Sequence, residues 1–402
     1  MSFTVRTLTE DELLPHARLT VAAFMLDTPE ERIGRWTGLH EPDRTHGVFE
    51  DGALLGAAGV QTRHLTLPGT GPRPFAAVTT VVVDPGHRRR GVLRRLMTEQ
   101  LTALHDGGEP VAALWASEAA IYGRFGYAMA SEVVRLEIPQ RAAFRPRVDI
   151  GTDRVRLVAR DEALPLVKDL YERVRPTRTG WISRNDVQWA YFLSDDEWDR
   201  HGQSAYRYAL HPDGYVVYRL KADWQDRGPR GELHVREFVA ATPEATAALY
   251  RHVLDADLIG EIKYSVAATD DPIVHLLADS RLIRRRRSDS LWVRIVDVDR
   301  ALASRTYSSD VDLVLEVADD LCPWNTDRWR LTVRDGVAEV TRTPDEADVV
   351  LDVRALGSAF LGGQRLTSLT GAQLVAEVTP GSLRALSSAF LGDHDPHCHE
   401  IF

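Results

Sequence analysis

Apolar positions recur along this chain with two periods, and the order in which the periods alternate lays out its architecture. The β-branched run Val78–Asp84 reads as a strand. Gly91–His105 carries the three-to-four spacing of an amphipathic helix, and Val111–Ala116 is again strand-like. The order returns later as a strand at Leu233–Val239, a helix at Pro243–Leu254 and a strand at Ile262–Val266. A repeat is visible residue by residue. Val5–Pro15 and Val155–Pro165, a shift of 150, share Val, Arg, Asp, Glu, Leu and Pro, and each reads as a short strand running into an amphipathic helix. Val48–Gly56 alternates about an Asp51-Gly52 turn, and Tyr208–Tyr218 forms a second hairpin pattern. The chain therefore predicts two α/β domains of one type, each a mixed or parallel sheet covered by helices.

A different order begins near Leu291–Ile295. Strands at Val311–Val317, Arg328–Val333 and Val337–Arg342 follow one another, the last two joined at Asp335-Gly336. A strand at Ala347–Val353 and helices at Arg354–Leu361, Ser368–Gln373 and Ser382–Leu391 complete an α+β domain. The expected division is 1–148, 149–290 and 291–402, without a low-complexity linker.

The 402 residues suffice for two to four cores at roughly 100–200 residues each. A net charge of −10 opposes a nucleic-acid partner, which needs a basic face. Two cysteines, Cys322 and Cys398, give no disulfide framework and suit a reducing compartment. No apolar run reaches the roughly 18 residues of a membrane span. The first residues lack the pattern of a signal peptide, so the expected location is the cytoplasm.

Candidate chemistry concentrates where the strand ending Val81-Val82-Val83-Asp84 meets Arg88-Arg89-Arg90-Gly91-Val92-Leu93-Arg94. Unpaired amides at the start of a helix, with the positive end of its dipole, make an anion site suited to a pyrophosphate. Gly91 lets the backbone approach the phosphates and the arginines add charge. The run read alone also fits a solvated basic loop or a nucleic-acid patch. The spacing Gly-x-Gly-x-x-Gly of a dinucleotide fold is missing. A second segment, Val111–Ala116, leads to Ser117-Glu118 and to Ile121-Tyr122-Gly123-Arg124-Phe125-Gly126-Tyr127.

These two segments resemble the GNAT acetyltransferases, whose pyrophosphate motif is Gln/Arg-x-x-Gly-x-Gly/Ala. Here the last position is Leu93, a departure that bears on how the helix packs. The resemblance implies that acetyl-CoA is the acetyl donor, held by Val81, Val82, Val83, Arg88, Arg89, Arg90, Gly91, Val92, Leu93, Arg94, Ser117 and Glu118. It implies that Tyr122 protonates the departing thiolate. A phenol of pKa about 10 can serve a thiol of pKa about 8.5. Read alone, Tyr122 is first a core aromatic that closes the helix onto the sheet, and only its sequence context favours the catalytic role; Tyr127 reads as packing.

The order of parts is similar to the enhanced intracellular survival (Eis) family of N-acetyltransferases. The likeness spans the whole chain and includes His211-Pro212-Asp213-Gly214-Tyr215 and Asp271-Pro272. It implies tandem GNAT-like domains followed by a sterol-carrier-like α+β domain, a homohexamer, and aminoglycosides or similar cationic amines as acceptors. Protein lysine is the alternative acceptor, and a lipid-carrying module with a vestigial transferase site is the alternative of another class. The likeness further implies that the α-carboxylate of Phe402 acts as general base in the first domain. Direct transfer from an ammonium 5–6 pKa units higher is uphill by about 7–8 kcal/mol, so a shifted pKa, a water relay or a purely electrostatic role all stay open. Phe24, Asp27, Trp36 and Glu400 are the expected acceptor-site residues.

The second domain has no Arg-x-x-Gly loop. Thr242 and Pro243 cap its helix, and Glu244 would repel a pyrophosphate, so a scaffold that binds no CoA is expected. His394, His397, Cys398 and His399 match no zinc spacing, and no metal is expected. Arg284–Arg287 reads as a solvated or interface edge. No cysteine lies near the motifs in sequence, which favours direct attack over a covalent acyl-enzyme.

Overall fold

All three expected hairpins form, at Asp51-Gly52, Pro212-Asp213 and Asp335-Gly336, and the first two lie in the two halves of a pseudo-repeated architecture. The computed structural model describes residues 3–226 and 228–402. Its first part runs β1 (Thr4–Thr7), α1 (Leu13–Ala23), α2 (Glu30–Thr37), β2 (Thr45–Glu50), β3 (Ala53–Leu67), β4 (Gly71–Val83), α3 (Val92–Asp106), β5 (Val111–Trp115), α4 (Ala119–Tyr122) and β6 (Ala128–Met129). The second runs β7 (Glu132–Pro139), β8 (Arg156–Val158), α5 (Arg160–Val174), α6 (Asp186–Phe192), β9 (Arg207–His211), β10 (Gly214–Lys221), β11 (Trp224–Gln225), β12 (Gly228–Pro229), β13 (Gly231–Ala240), α7 (Pro243–Leu254), β14 (Ile259–Ala267), α8 (Ile273–Leu276) and β15 (Arg284–Asp289). The third runs β16 (Leu291–Ile295), α9 (Val298–Ala303), β17 (Val311–Ala318), β18 (Asp327–Arg334), β19 (Val337–Arg342), β20 (Val349–Asp352), α10 (Val353–Ala359), α11 (Leu366–Leu369), β21 (Val375–Glu377) and α12 (Ser382–Phe390).

The sheets do not follow the contiguous division expected from the sequence. The first has the order β1-β2-β3-β4-β5-β16-β6 and the second β15-β7-β14-β13-β10-β9-β8. Strand β16, expected to open the third segment, pairs antiparallel with β5 from Leu291↔Trp115 to Ile295↔Val111. Strand β7, which follows the first domain's motifs, lies in the second sheet between β14 and β15. The exchange has a packing cause. Trp292 of β16 packs with the cluster that includes Leu114 and Tyr122. Leu291, Val293 and Ile295 belong to the core that also holds Leu315 and Phe360. The strand's other face, that of Trp292, also carries Arg294, buried and paired with Asp319, so both faces of the strand are covered here. The third domain's sheet, β19-β18-β17-β20-β21, thus shares one core with the first domain.

One further detail differs from expectation. The helix expected over 368–373 is a short α11 followed by a 3-10 turn at Thr370–Ala372, and β21 comes directly after it. Arg284–Arg287 form most of the exposed edge strand β15. Among the described residues, no helix is long and apolar enough to cross a membrane.

Candidate active site

The site follows from where two parallel strands part. β4 and β5 pair only at Ala76↔Ala112 and Ala77↔Ala113, after which they diverge. On its other side β4 carries a bulge against β3. Val82 faces Ala57 and Thr79 faces Gly59, so Thr80 and Val81 together face Ala58. Thr80 takes a positive φ of 49° to make this possible. The gap between the strands opens into a cavity of about 440 Å³. Thr79–Val81 form one wall and Leu114–Ser117 the other. Phe24, directly after α1, and Trp36 of α2 close it, and Tyr122 of α4 lines it.

Tyr122 is buried, its ring edge-on to Tyr127 at 6.0 Å. Burial pushes its phenol pKa up, a hydrogen bond with Ser117 pulls it partly back, and the Glu118 carboxylate adds to the rise. The phenol is therefore protonated at neutral pH, the form a proton donor needs. Tyr127 is fully buried, which fits packing.

The expected anion site leads directly from the β4 wall. Asp84 accepts from the Gly86 amide at 2.8 Å and contacts His87 Nδ1 at 2.9 Å, shaping the loop. Arg88, Arg89 and Arg90 are exposed, and Arg90 pairs with Glu50 at 2.7 Å. Gly91 sits at the N-cap of α3 with φ 86°, and no side chain caps the helix. The first i to i−4 bond is Arg95 N–H to the Gly91 carbonyl, so the amides of Val92, Leu93 and Arg94 precede the ladder. Leu93, the departure from the family motif, is half-buried against the Val60 and Val78 cluster. Val92 and Val82 are buried, and Arg94, Ser117 and Glu118 are exposed. The corresponding helix of the second domain is closed by its own chain. Thr242 Oγ1 accepts from the Ala245 amide at 3.2 Å, and Pro243 occupies the first turn.

Two corrections concern the residues expected at the acceptor. Asp27 is exposed and does not line the cavity. Glu400 lines it but is not a free anion. Its carboxylate accepts from Arg63 Nη2 at 2.7 Å and from Arg184 Nε, all three buried. Burial alone would raise its pKa, but the two guanidiniums outweigh that and lower it. Cys398, far from the motifs in sequence, donates from Sγ to the Glu400 carbonyl at 3.5 Å. Burial pushes its thiol up to about 11, so it holds no thiolate nucleophile.

Sequence reasoning did not find Arg63, His40, Gln61, Gln188 and Tyr191, which also line the cavity. Arg63 left one signal, a guanidinium inside the long strand β3. Gln188 and Tyr191 come from α6 of the second domain, and nothing local marks them. The chain's last residues, Ile401 and Phe402, complete the wall. The Phe402 ring meets Phe75 edge-on at 6.2 Å, and the Arg63 guanidinium lies 5.6 Å from its centroid. Phe24, Trp36, Val81, Ser117, Tyr122, Glu400 and Phe402 are thus brought together in one cavity. His397 and His399 bond to the Val266 carbonyl and to Glu237. Among the described residues, no group of three His, Cys, Asp or Glu side chains could hold a metal ion.

Residues 4–130 and 180–295 each match a GNAT acetyltransferase domain model, and residues 298–399 match a sterol carrier protein domain. N-acetyltransferase Eis of Mycobacterium tuberculosis is 35% identical over 406 residues, covering 98% of each chain. The chain belongs to the Eis family. An uncharacterized N-acetyltransferase of Streptomyces avermitilis is 39% identical over 399 residues, 97% of each chain. The crystal structure of Eis1 from Mycobacterium abscessus superposes with a TM-score of 0.87 at 36% identity over 100% of both chains. The protein is thus an N-acetyltransferase of the Eis and GNAT type, with two GNAT domains and a sterol-carrier-like domain.

Proposed function

We propose that this Eis-family enzyme transfers acetyl groups from acetyl-CoA to primary amines of aminoglycosides or similar polyamines, at one or several positions. The reaction is direct attack in a ternary complex. The amine nitrogen forms its bond to the acetyl carbon as the carbon–sulfur bond breaks. Tyr122 gives its phenolic proton to the departing sulfur, and the α-carboxylate of Phe402 takes the proton that the amine sheds. The open start of α3 and Arg88–Arg90 receive the pyrophosphate, and the gap between β4 and β5 receives the acyl arm.

The observation that carries this reading is that Tyr122 and Phe402 line the same cavity, at the parting of β4 and β5. The contrast between α3, uncapped by any side chain, and α7, capped by Thr242, supports placing the donor in the first domain. The cavity's aromatic walls suit an amine-bearing sugar. Its acidity is lower than the sequence suggests, because Glu400 is paired. By likeness to the family the protein is a homohexamer, and its two free, buried cysteines suit a reducing compartment such as the cytoplasm.

The test is acetyl-CoA turnover against a panel of aminoglycosides, small polyamines and lysine peptides, with products located by mass spectrometry. Turnover of aminoglycosides well above the peptides is expected. Turnover confined to lysine peptides would overturn the acceptor, and tight lipid binding without acetyl transfer would overturn the enzyme reading.

A further inference from the structure

The second GNAT domain contains the same parting of strands as the first, and the chain's own tail fills it. β13 and β14 run parallel and pair from Gly231↔Ile259 to Val235↔Tyr264. Beyond that point they separate, as β4 and β5 do beyond Ala77↔Ala113. Residues 395–400 lie across this second gap. The His397 amide donates to the Thr179 carbonyl at 2.9 Å. His397 Nε2 meets the Val266 carbonyl of β14 at 2.8 Å, and Trp181 Nε1 donates to His397 Nδ1 at 3.2 Å. On the opposite strand, Glu237 of β13 accepts from His399 Nε2 at 2.7 Å, from Arg184 Nη2 at 2.8 Å and from the Tyr215 hydroxyl at 2.7 Å.

The packing leaves little freedom. Gly180 has φ 93°, and a Cβ there would lie 2.6 Å from the His397 carbonyl oxygen, so the tail backbone rests directly on a glycine. Glu237, Arg184 and His399 are buried. Burial disfavours the Glu237 carboxylate, but Arg184 and His399 more than offset this and hold it ionised. Arg184 then links the second gap to the first, since it also donates to Glu400, which Arg63 of β3 holds from the other side. From Glu400 the chain enters the first cavity, where Phe402 lies. One strap therefore spans two equivalent gaps: residues 397–399 occupy the second and residues 400–402 line the first.

We infer that the second domain's gap is a clamp for the tail. Glu237 and Arg184 are positioning residues that set Phe402 at the reacting end of the first domain's cavity. This gives the second domain a task in the reaction without a donor of its own. The inference rests on the proposed role of Phe402 at the acceptor site.

The experiment is a double-variant cycle read by steady-state acetyl transfer from acetyl-CoA to a 2-deoxystreptamine aminoglycoside. The variants are Glu237→Gln, removal of Phe402, and both together. Glu237→Gln is expected to lower kcat about tenfold or more, within the range for a misplaced proton acceptor, while KM for acetyl-CoA stays within about threefold. In the chain lacking Phe402 the same substitution should change kcat by less than about twofold, because its route of action is gone. His399→Phe, which removes one partner from Glu237 and leaves Arg184 in place, is the second variant if Glu237→Gln does not fold, with the same pattern expected. Losses from Glu237→Gln and from removal of Phe402 that multiply would overturn the clamp. So would a wild-type kcat in Glu237→Gln when removal of Phe402 is harmful. Full turnover without Phe402 would overturn the role of that residue itself, and the clamp with it.

Discussion

Replacing Tyr122 by Phe removes one oxygen and little else. The ring stays in its buried place against Tyr127 and the Leu114 cluster, so the fold should lose no more than about 1 kcal/mol, the typical net worth of one hydrogen bond. The catalytic loss is larger. A phenol held above its ordinary value of about 10 cannot fully protonate a thiolate of pKa about 8.5 in the ground state; that transfer is uphill by more than about 2 kcal/mol. Its contribution comes as negative charge builds on sulfur. A hydrogen bond to a charged atom is worth about 1.5–3 kcal/mol, or roughly 10–150-fold in rate, and burial favours the upper end. We expect kcat to fall about 100-fold, with KM for acetyl-CoA within about threefold, inside the span for general acids. The assay is continuous detection of released CoA thiol, with thermal unfolding in parallel. An acetyl thioester with a more acidic thiol should narrow the gap between variant and wild type. A kcat within about threefold of wild type at unchanged stability would refute the role.

Three further outcomes follow from the geometry. Arg88→Ala with Arg89→Ala should raise KM for acetyl-CoA about 10-fold or more, with kcat changed by less than about threefold, because each charged hydrogen bond to phosphate is worth about 1.5–3 kcal/mol. Gly126→Ala should destabilise the protein by at least about 3 kcal/mol in urea unfolding. Its φ is 82°, and a Cβ would lie 2.7 Å from Arg294 Cζ, displacing the buried Arg294–Asp319 pair. His40 is held neutral by burial and by His16 beside it, with its pKa pushed down to about 3. The unfolded chain gains that proton below about 6.5, so the contribution is complete above that pH and shrinks as pH falls towards 3. Between pH 7 and 5 this costs about 2 kcal/mol, and His40→Gln should flatten the urea-midpoint profile accordingly.

The elements that carry local chemistry were legible in the chain. The strand, arginine loop and helix around Gly91 stand where the periodicity and glycine place them, as does the Thr242 cap of the second domain. Tyr122 was legible through its neighbours in sequence. What pairs with what across the sheets was not. β16 reads like any apolar strand, and its place beside β5 depends on tertiary contacts, among them the buried pair of Arg294 with Asp319, that no local pattern marks. The cavity wall drawn from α6 leaves no local mark, since nothing beside Gln188 and Tyr191 in sequence sets them apart. Glu400 was read as a pocket charge because its partners, Arg63 and Arg184, lie 337 and 216 positions away. Charge in a sequence is counted, but whether it is neutralised depends on tertiary contacts.

The central claim is that acetyl transfer takes place in the cavity where Tyr122 and the end of the chain at Phe402 meet. The most direct test compares acetyl transfer to aminoglycosides by the native chain and by one carrying two added glycines after Phe402, with acetyl-CoA affinity measured on both by calorimetry. The account predicts that the extension leaves acetyl-CoA affinity within about threefold and lowers turnover about 100-fold, because it moves the carboxylate off residue 402. Undiminished turnover in the extended chain would contradict it.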